Sequence, residues 1–432
     1  MEIGDPNPFI GEGIAQYADI DGADSDEEAE AAPGSYQTLN WEDVRGDEAH
    51  KLNYEFDSGA ANQQGFTTLY NKYGYKSEVE ILLDLAQPLF VVLLECSNLN
   101  HLANLTMRDI FCYHAVLTLQ TCVSLARTEM YWKGIDNLLI WGGEAARLRQ
   151  LFPLSRYQHV REFLKGYTAE DEAQTDDKGK KVNRAVESVI TSFRQVLPVP
   201  GQHLSADEGM AQGSSSRNPI YCSLGKAKPL EGFRFFLLVD YETKIVVNFM
   251  LDTKRLNSAN CANRPGGFTG AVIDELCLPN VLPGLWYRVY ADNYYNTVPL
   301  VEHMRDNRRV LVTGTMQKKN ICIEARRGFG SAKRPKPSVA NPKGKLSIAH
   351  RIGRAIYIYG WMDSSLVYFI DPVHGPGNET VIRRKNNIGE SHAFKVPLVI
   401  VKYNMYMHAV DVFDQIRKLF GCDLQHPTKK YT

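Results

Sequence analysis

The chain has 432 residues, of which 44% are hydrophobic and 23% charged, and its formal net charge is −1. These values are typical of a soluble globular protein with two or three domains and room for a core. Its eight cysteines form no CxxC pair and have no histidine at finger spacing, which argues against a zinc finger or ribbon, so no zinc is expected. The best membrane candidate, residues 110–126, contains His114, Thr118 and Gln120 and predicts a buried helix, so no membrane partner is expected.

The small net charge conceals an uneven distribution of charge along the chain. Residues 1–60 contain 16 acidic and 2 basic side chains, whereas the remaining 372 residues contain 47 basic and 34 acidic ones. An acidic tail beside a basic body indicates either a polyanionic partner or simply a solvated tail on an ordinary body. Residues 1–75 show no sustained periodicity and are rich in Asp, Glu, Gly and Ala, so we predict a disordered acidic tail there.

The pattern of apolar residues over 76–200 predicts a helical N-terminal domain. Apolar residues recur at helical spacing over residues 79–86, 107–123, 145–152, 157–164 and 182–197. Pro88 predicts a break or a restart in the first helix, because proline lacks a backbone donor. Such a domain could bind DNA, mediate dimerisation or pack against a catalytic core, and its composition does not distinguish these roles.

Residues 201–316 predict the first part of a mixed α/β core. Strands are predicted at residues 203–208, 233–240 and 245–251, followed by a helix at 270–278. A strand at 288–292, a helix at about 297–304 and a strand at 310–315 complete the segment. We predict Asn293 and Asn296 to be turn and helix-start residues. The order of these elements matches an RNase H-like core of the retroviral integrase type, which is an α/β fold with a mixed sheet.

Residues 317–395 predict a basic insertion that contains a strand pair at 355–359 and 366–371. Residues 317–354 alone contain 11 Lys or Arg residues and one acid, Glu324. Such a segment either contacts phosphates, with release of counterions from a nucleic acid, or is a solvated loop. The predicted DNA-binding residues are Lys318, Lys319, Arg326, Arg327, Lys333, Arg334, Arg383 and Arg384. The run 333–336 also resembles a short nuclear import signal.

Acidic residues at three places could converge on one site. Asp207 and Asp292 each lie at the end of a predicted strand, while Asp411 and Asp414 lie three residues apart on a helix predicted over 403–419 and therefore share a face. Three or four carboxylates around a cleft suit hard divalent cations, and two such ions support phosphoryl transfer. On pattern alone, the alternatives are a turn residue at Asp207, a cap at Asp292 and a solvated helix face at Asp411 and Asp414.

Several short motifs along the chain carry a family resemblance. They lie at residues 105–109, 131–132, 155–164, 204–210, 228–234, 290–297, 313–316, 401–404 and 410–415. Together, and in this order, they resemble a piggyBac-type transposase or a protein derived from such a transposable element. The resemblance covers roughly residues 95–432.

The resemblance implies an RNase H-like core interrupted by an inserted domain before the last catalytic acid. Family members use three aspartates with two Mg²⁺ (or Mn²⁺) ions to cut double-stranded DNA at transposon ends and join it to new targets, typically TTAA. By motif, the catalytic residues here are Asp207, Asp292 and Asp411, and Asp414 matches a nearby fourth acid that also binds metal. Family analogy further implies a homodimer that acts in the nucleus.

Two features depart from the family pattern. His408 and Ala409 stand where the family usually has two glycines before the Val-Asp pair, and a change there could tilt the helix that carries Asp411. Only 18 residues follow Asp414, so residues 396–432 predict a truncated end of the core without further helices or a zinc domain. Two functions therefore remain open. One is an active, metal-dependent DNA transposase, and the other is a catalytically inactive, transposase-derived nuclear DNA-binding protein.

Overall fold

The computed structural model describes residues 41–43 and 74–419, apart from short gaps. The gaps are residues 101, 123–124, 126, 134–141, 174–176, 213–217, 225–229, 280, 283, 328, 330–334, 352–353, 378 and 386–390. Almost all of the predicted acidic tail lies outside the described residues. Trp41–Asp43, which fall inside that predicted tail, instead form a short strand.

The first half of the described chain is helical, as predicted. Its helices are α1 (Glu78–Asn98), α2 (Met107–Cys122), α3 (Met130–Lys133), α4 (Gly142–Leu151), α5 (Leu154–Phe163), α6 (Ala169–Ala173) and α7 (Asn183–Val196). The predicted break at Pro88 is wrong, because α1 continues through it and buries Phe90 and Leu93 in the helical core. Within the described residues, no helix is long and apolar enough to cross a membrane.

A buried ion pair joins two of these helices. Asp109, in the first turn of α2, accepts hydrogen bonds from the Thr106 backbone at 2.7 Å and from the Arg156 guanidinium at 2.9 and 2.7 Å. The Arg156 guanidinium holds the pKa of the Asp109 carboxyl well below its ordinary value. Asp109 and Arg156 come from two of the short motifs noted above, so this pair gives both motifs a structural role in the helical domain.

Residues 203–371, together with the early strand at residues 41–43, build a large mixed sheet. Its strands are β1 (Trp41–Asp43), β2 (His203–Gln212), β3 (Tyr221–Leu224), β4 (Leu230–Asp240), β5 (Val246–Leu251), β6 (Tyr287–Ala291), β7 (Val310–Thr315), β8 (Leu346–Arg351), β9 (Tyr357–Met362) and β10 (Leu366–Asp371). In the described chain they pair in the order β1-β8-β9-β10-β7-β6-β2-β4-β3, and β5 also pairs with β4.

The centre of this sheet has the predicted RNase H-like order, β5-β4-β2-β6-β7. The first three of these strands are antiparallel, while β2, β6 and β7 run parallel to one another. The remaining helices are α8 (Gly267–Leu276), α9 (Val298–His303), α10 (Ile323–Arg326), α11 (Leu398–Tyr406) and α12 (Ala409–Leu419). Helices α8 and α9 bury apolar side chains on one face of the central strands, and α7, α11 and α12 pack on the other. Because helices cover both faces of the sheet, the sequences of the central strands are nearly continuous apolar runs.

Part of the predicted insertion extends the main sheet. Strand β10 pairs antiparallel with β7, so that Phe369 lies opposite Thr315, and β9 and β8 follow beyond it. Strands β11 (Glu379–Lys385) and β12 (Ser391–Pro397) form a separate two-stranded sheet. The domain boundaries drawn from the sequence stay predictions, although residues 346–371 share a continuous sheet with the core.

Two predicted elements have different limits in the structure. Strand β2 continues past residue 208 to Gln212, because β4 pairs with it along its full length. The single helix predicted over 403–419 is two helices, α11 and α12, separated at Met407 and His408. The hydroxyl of Ser205 donates a hydrogen bond to the carbonyl of Met407, which ties the break between the helices to the centre of the sheet.

Candidate active site

Two of the predicted carboxylates lie side by side at the centre of the sheet. The parallel register of β2 and β6 pairs Ser205 with Tyr290 and Ala206 with Ala291. Asp207 follows Ala206 and Asp292 follows Ala291, so the two aspartates lie side by side where the parallel pairing ends. Both are half-buried. Because side chains alternate along a strand, both aspartates continue the face on which α11 packs.

The electrostatics of this pair favour a bound cation. Burial raises the pKa of the Asp207 carboxyl well above its ordinary value, and the negative charges of Glu208 and Asp292 raise it further. Each carboxylate also accepts a backbone hydrogen bond: the Glu208 N–H donates to Asp207 at 2.8 Å, and the Tyr294 N–H donates to Asp292 at 2.8 Å. A divalent ion, which prefers oxygen ligands, would offset the repulsion between these two buried carboxylates.

Asn296 fixes the backbone around Asp292. Its side-chain amide donates hydrogen bonds to the carbonyls of Ala291 at 2.8 Å, Asp292 at 2.9 Å and Thr315 at 3.0 Å, and it is fully buried. The sequence predicted Asn296 only as a turn and helix-start residue, but the cap of α9 is Thr297. The clamp requires Gly314, since a Cβ there would lie 2.3 Å from the Asn296 amide nitrogen and 1.8 Å from the Ala291 carbonyl oxygen.

Tyr403 of α11 covers the carboxylate pair. This side chain is buried, and its hydroxyl lies 3.4 Å from the Thr315 hydroxyl on the neighbouring strand. Burial raises the pKa of the Tyr403 hydroxyl, and the charges of Asp292, Asp207 and Asp411 raise it further. The hydroxyl is therefore within electrostatic reach of all three aspartates. Sequence reasoning assigned no role to Tyr403, although it stands in the motif at residues 401–404.

The structure does not bring the third aspartate into the pair. The Asp411 side chain is 45% exposed and lies 3.4 Å from the His408 ring. Asp414 receives the Arg417 guanidinium at 3.3 Å, and Arg417 also donates to the Met210 carbonyl of β2 at 2.6 Å. In the part of the chain that the structure describes, no group of three or more His, Cys, Asp or Glu side chains could hold a metal ion.

Comparison with known proteins agrees with this arrangement of strands. A model of a DDE transposase family, described as Transposase IS4, matches residues 80–432. The chain belongs to this family. The chain also superimposes on a piggyBac transposase, solved by cryo-electron microscopy as a synaptic complex with hairpin DNA, with a TM-score of 0.59. The two are 15% identical over 80% of this chain and 70% of that one, so the likeness shows a shared fold and confirms the predicted resemblance.

The basic residues of this DDE-family chain are placed in different ways. Lys319 and Arg327 are exposed, whereas Lys318 is half-buried. The Arg326 guanidinium is turned inward and donates to the carbonyls of Lys318 and Ile321, so it shapes its own loop. Arg383 and Arg384 lie on β11, but their side chains are outside the description. Lys333 and Arg334 lie outside the described residues altogether.

Proposed function

We propose that this protein is a DNA transposase that cuts and joins DNA strands with the help of divalent cations. The observation that carries the proposal is the pair of half-buried aspartates, Asp207 and Asp292, at the ends of adjacent parallel strands in a DDE-family chain. The ends of parallel strands are where α/β folds position their chemistry. The clamp formed by Asn296 gives the second aspartate a fixed backbone.

The donor set suits Mg²⁺ or Mn²⁺, which bind through one or two carboxylates and the phosphates of a substrate. Asp207 and Asp292 would hold the first ion. Asp411, with Asp414 beside it, would complete a two-ion site if its side chain turned from His408 toward the pair. Bound ions would supply an activated oxygen nucleophile and would stabilise the leaving oxygen. Tyr403 would exclude water from one side of the carboxylate pair.

The proposed partner is double-stranded DNA, with transposon ends and TTAA-type targets as the expected sites. The DNA in the piggyBac transposase complex supports a nucleic-acid partner for a chain of the same fold. The exposed Lys319 and Arg327, with Arg383 and Arg384 of β11, are the proposed contacts to the phosphate backbone. Action on genomic DNA requires a nuclear location, and cutting both ends of an element favours a homodimer.

The test is cleavage of a labelled duplex that carries TTAA, with Mn²⁺, by wild type and by Asp292→Asn. We expect metal-dependent nicks from wild type and a loss of at least about 100-fold in the variant, since one metal ligand is removed. The Asn side chain keeps the oxygen that accepts the Tyr294 N–H, so the variant should fold. Equal cleavage by both proteins would refute the assignment of the site.

A second function, DNA binding without catalysis, is favoured by the position of Asp411. Its side chain is half-exposed and turned to His408 instead of joining the pair. This alternative predicts salt-dependent binding of duplex DNA with no nicks at any Mn²⁺ concentration. A His408→Gly variant distinguishes the two functions. If His408 holds the Asp411 side chain away from the carboxylate pair, glycine there should restore cleavage in a protein that otherwise only binds.

A further inference from the structure

A second group of charged side chains lies on the same face of the sheet, at the opposite ends of the strands. His203 of β2 pairs in register with Arg288 of β6. These residues precede Asp207 and Asp292 by four positions, which places them about 13 Å from the carboxylates along the strands. Lys402, on α11, packs over the same region, with its ammonium 5.4 Å from the centre of the Tyr406 ring.

The two basic side chains of this group have no carboxylate partner among the described residues. Arg288 and Lys402 are both half-buried, and the Nε of Arg288 is buried without a hydrogen-bond partner. In the described part of the chain, neither side chain forms an ion pair with an acid. Burial lowers the pKa of the Lys402 ammonium, and the positive charge of Arg288 lowers it further, so the two cations are close enough to repel each other.

The histidine between these cations stays neutral. The His203 ring stacks on Tyr406 with the ring centres 3.8 Å apart, and its Nδ1 lies 3.2 Å from the Tyr290 hydroxyl. Burial lowers the pKa of His203 to about 3, and the charges of Arg288 and Lys402 contribute to this. His203 therefore adds a flat wall and a polar edge to the group, without adding charge.

The nearby acids are engaged elsewhere. Asp371 is fully buried and accepts hydrogen bonds from Thr313 at 3.1 Å and from the Val373 backbone at 2.9 Å, and His374 lies 2.6 Å from it. Glu242 is close enough to raise the pKa of Tyr406, but forms no ion pair with Lys402 among the described residues. The group therefore carries an uncompensated positive charge in a half-buried place, which is costly unless an anion is bound.

We propose that Arg288 and Lys402 form a binding site for a phosphate group. The guanidinium offers planar paired donors and the ammonium a point charge, which is the combination that grips phosphate oxygens. As a deepening of the proposed function, and resting on it, the phosphate belongs to the DNA backbone. The site would then hold a phosphate about 13 Å from the carboxylate pair. A free phosphate ion has the same chemistry and is the other source.

The first measurement is thermal unfolding of the full chain in sodium phosphate and in sodium chloride at matched ionic strength. We expect phosphate to raise the Tm of wild type by about 2–4 °C more than chloride does. Lys402→Met keeps the apolar stem over Tyr406 and should lose this response. Lys402→Arg keeps the charge and should retain it. Without phosphate, Lys402→Met should melt no lower than wild type, because a repulsion has been removed. No phosphate response in wild type, or an equal response in Lys402→Met, would overturn the proposal.

The second measurement identifies the source of the phosphate. Binding of duplex DNA is measured by fluorescence anisotropy without divalent metal, at several salt concentrations between about 50 and 200 mM. If the backbone occupies the site, Arg288→Gln and Lys402→Met each reduce the slope of log K against log salt by about 1. Arg147→Gln, an exposed change in α4, is the control and should leave the slope unchanged. If Lys402→Met loses the Tm response to phosphate but leaves the slope of log K against log salt unchanged, the site exists and its ligand is free phosphate. Because this binding assay contains no metal, a negative result in it is independent of a negative result in the cleavage assay.

Discussion

The substitution Asp207→Asn should make the metal-free protein more stable. Asp207 and Asp292 lie on adjacent strands, which are about 4.8 Å apart. Two unit charges about 5 Å apart in a medium of effective dielectric about 20 repel each other by roughly 3 kcal/mol. Asparagine removes this repulsion and keeps the oxygen that accepts the Glu208 N–H. We therefore expect a gain on the order of 1–3 kcal/mol in the free energy of unfolding at pH 8.

The dependence of this gain on pH follows from the direction of the pKa shift. The pKa of Asp207 is raised in the folded protein, so the folded state holds its proton more tightly than the unfolded state does. Wild type therefore loses stability as pH rises above about 4, the ordinary value of an aspartate, whereas the variant does not. The gain should be absent at low pH and should grow through the range between the unfolded and folded pKa values.

The assay is thermal and urea unfolding at several pH values, in EDTA and in Mg²⁺. Mg²⁺ should stabilise wild type more than Asp207→Asn and should reduce the difference between them, because the ion neutralises the pair. Asp411→Asn is the matched control: its side chain is 45% exposed, so the stability should change by less than about 0.5 kcal/mol. A variant that is less stable than wild type at pH 8, or a gain that is the same at every pH, would refute the reasoning.

Three further substitutions test the framework around the site. Arg156→Ala leaves the buried carboxyl of Asp109 without its guanidinium, so it should cost about 2–3 kcal/mol and melt the helical domain early in circular dichroism. Gly314→Ala drives a Cβ into the Asn296 clamp and should cost more than about 2 kcal/mol in urea unfolding. Burial alone would raise the pKa of Asp274, but hydrogen bonds from partners that include Arg308 lower it. Asp274→Asn should therefore destabilise the protein at pH 7, and the deficit in Tm should shrink as pH falls below about 4 and vanish only below the lowered pKa of the folded state.

Each of these has a matched control. Arg147→Ala removes an exposed arginine from α4 and should have little effect, so an equal loss in both arginine variants would contradict the role of the ion pair. Gly284→Ala meets only the flexible end of Arg309 at 3.3 Å and should be tolerated. Glu170→Gln, at an exposed position of α6, should show no pH-dependent loss. A Gly314→Ala protein as stable as wild type would show that the backbone at Asn296 is not constrained.

The sequence was sufficient for the order of β2, β4, β5, β6 and β7 and for the two aspartates near strand ends, but it did not predict β3, β8, β11 or β12. Continuous apolar runs mark the central strands, and the position of an acid at the end of such a run is a local property of the chain. The same reasoning failed where long-range contacts determine the limits of a strand or a helix. The pairing of β4 extends β2 beyond Asp207, and a hydrogen bond from Ser205 lies at the break of the helix predicted over 403–419. Neither contact has a signature in the residues near it.

The roles of Asn296 and Tyr403 were also beyond reach from the sequence. A buried asparagine that donates to three carbonyls looks, in sequence, like any asparagine after a strand. Its role depends on Thr315, which is 19 residues away, and on the missing side chain of Gly314. Tyr403 is similar, since its position over the carboxylates depends on how α11 crosses three strands.

The distance along the chain between α12 and β2 has a consequence for how the protein is made. Arg417 contacts the carbonyl of Met210 across 207 residues of sequence. At a synthesis rate of about 5–20 residues per second, the strand that carries Asp207 emerges roughly 10–40 s before the helix that covers it. During that interval the acidic face of β2 and the apolar side chains of β4 that pack under Ala409 and Val410 are open to solvent. The site therefore cannot be assembled before α12 has been synthesised, however early β2 and β4 pair.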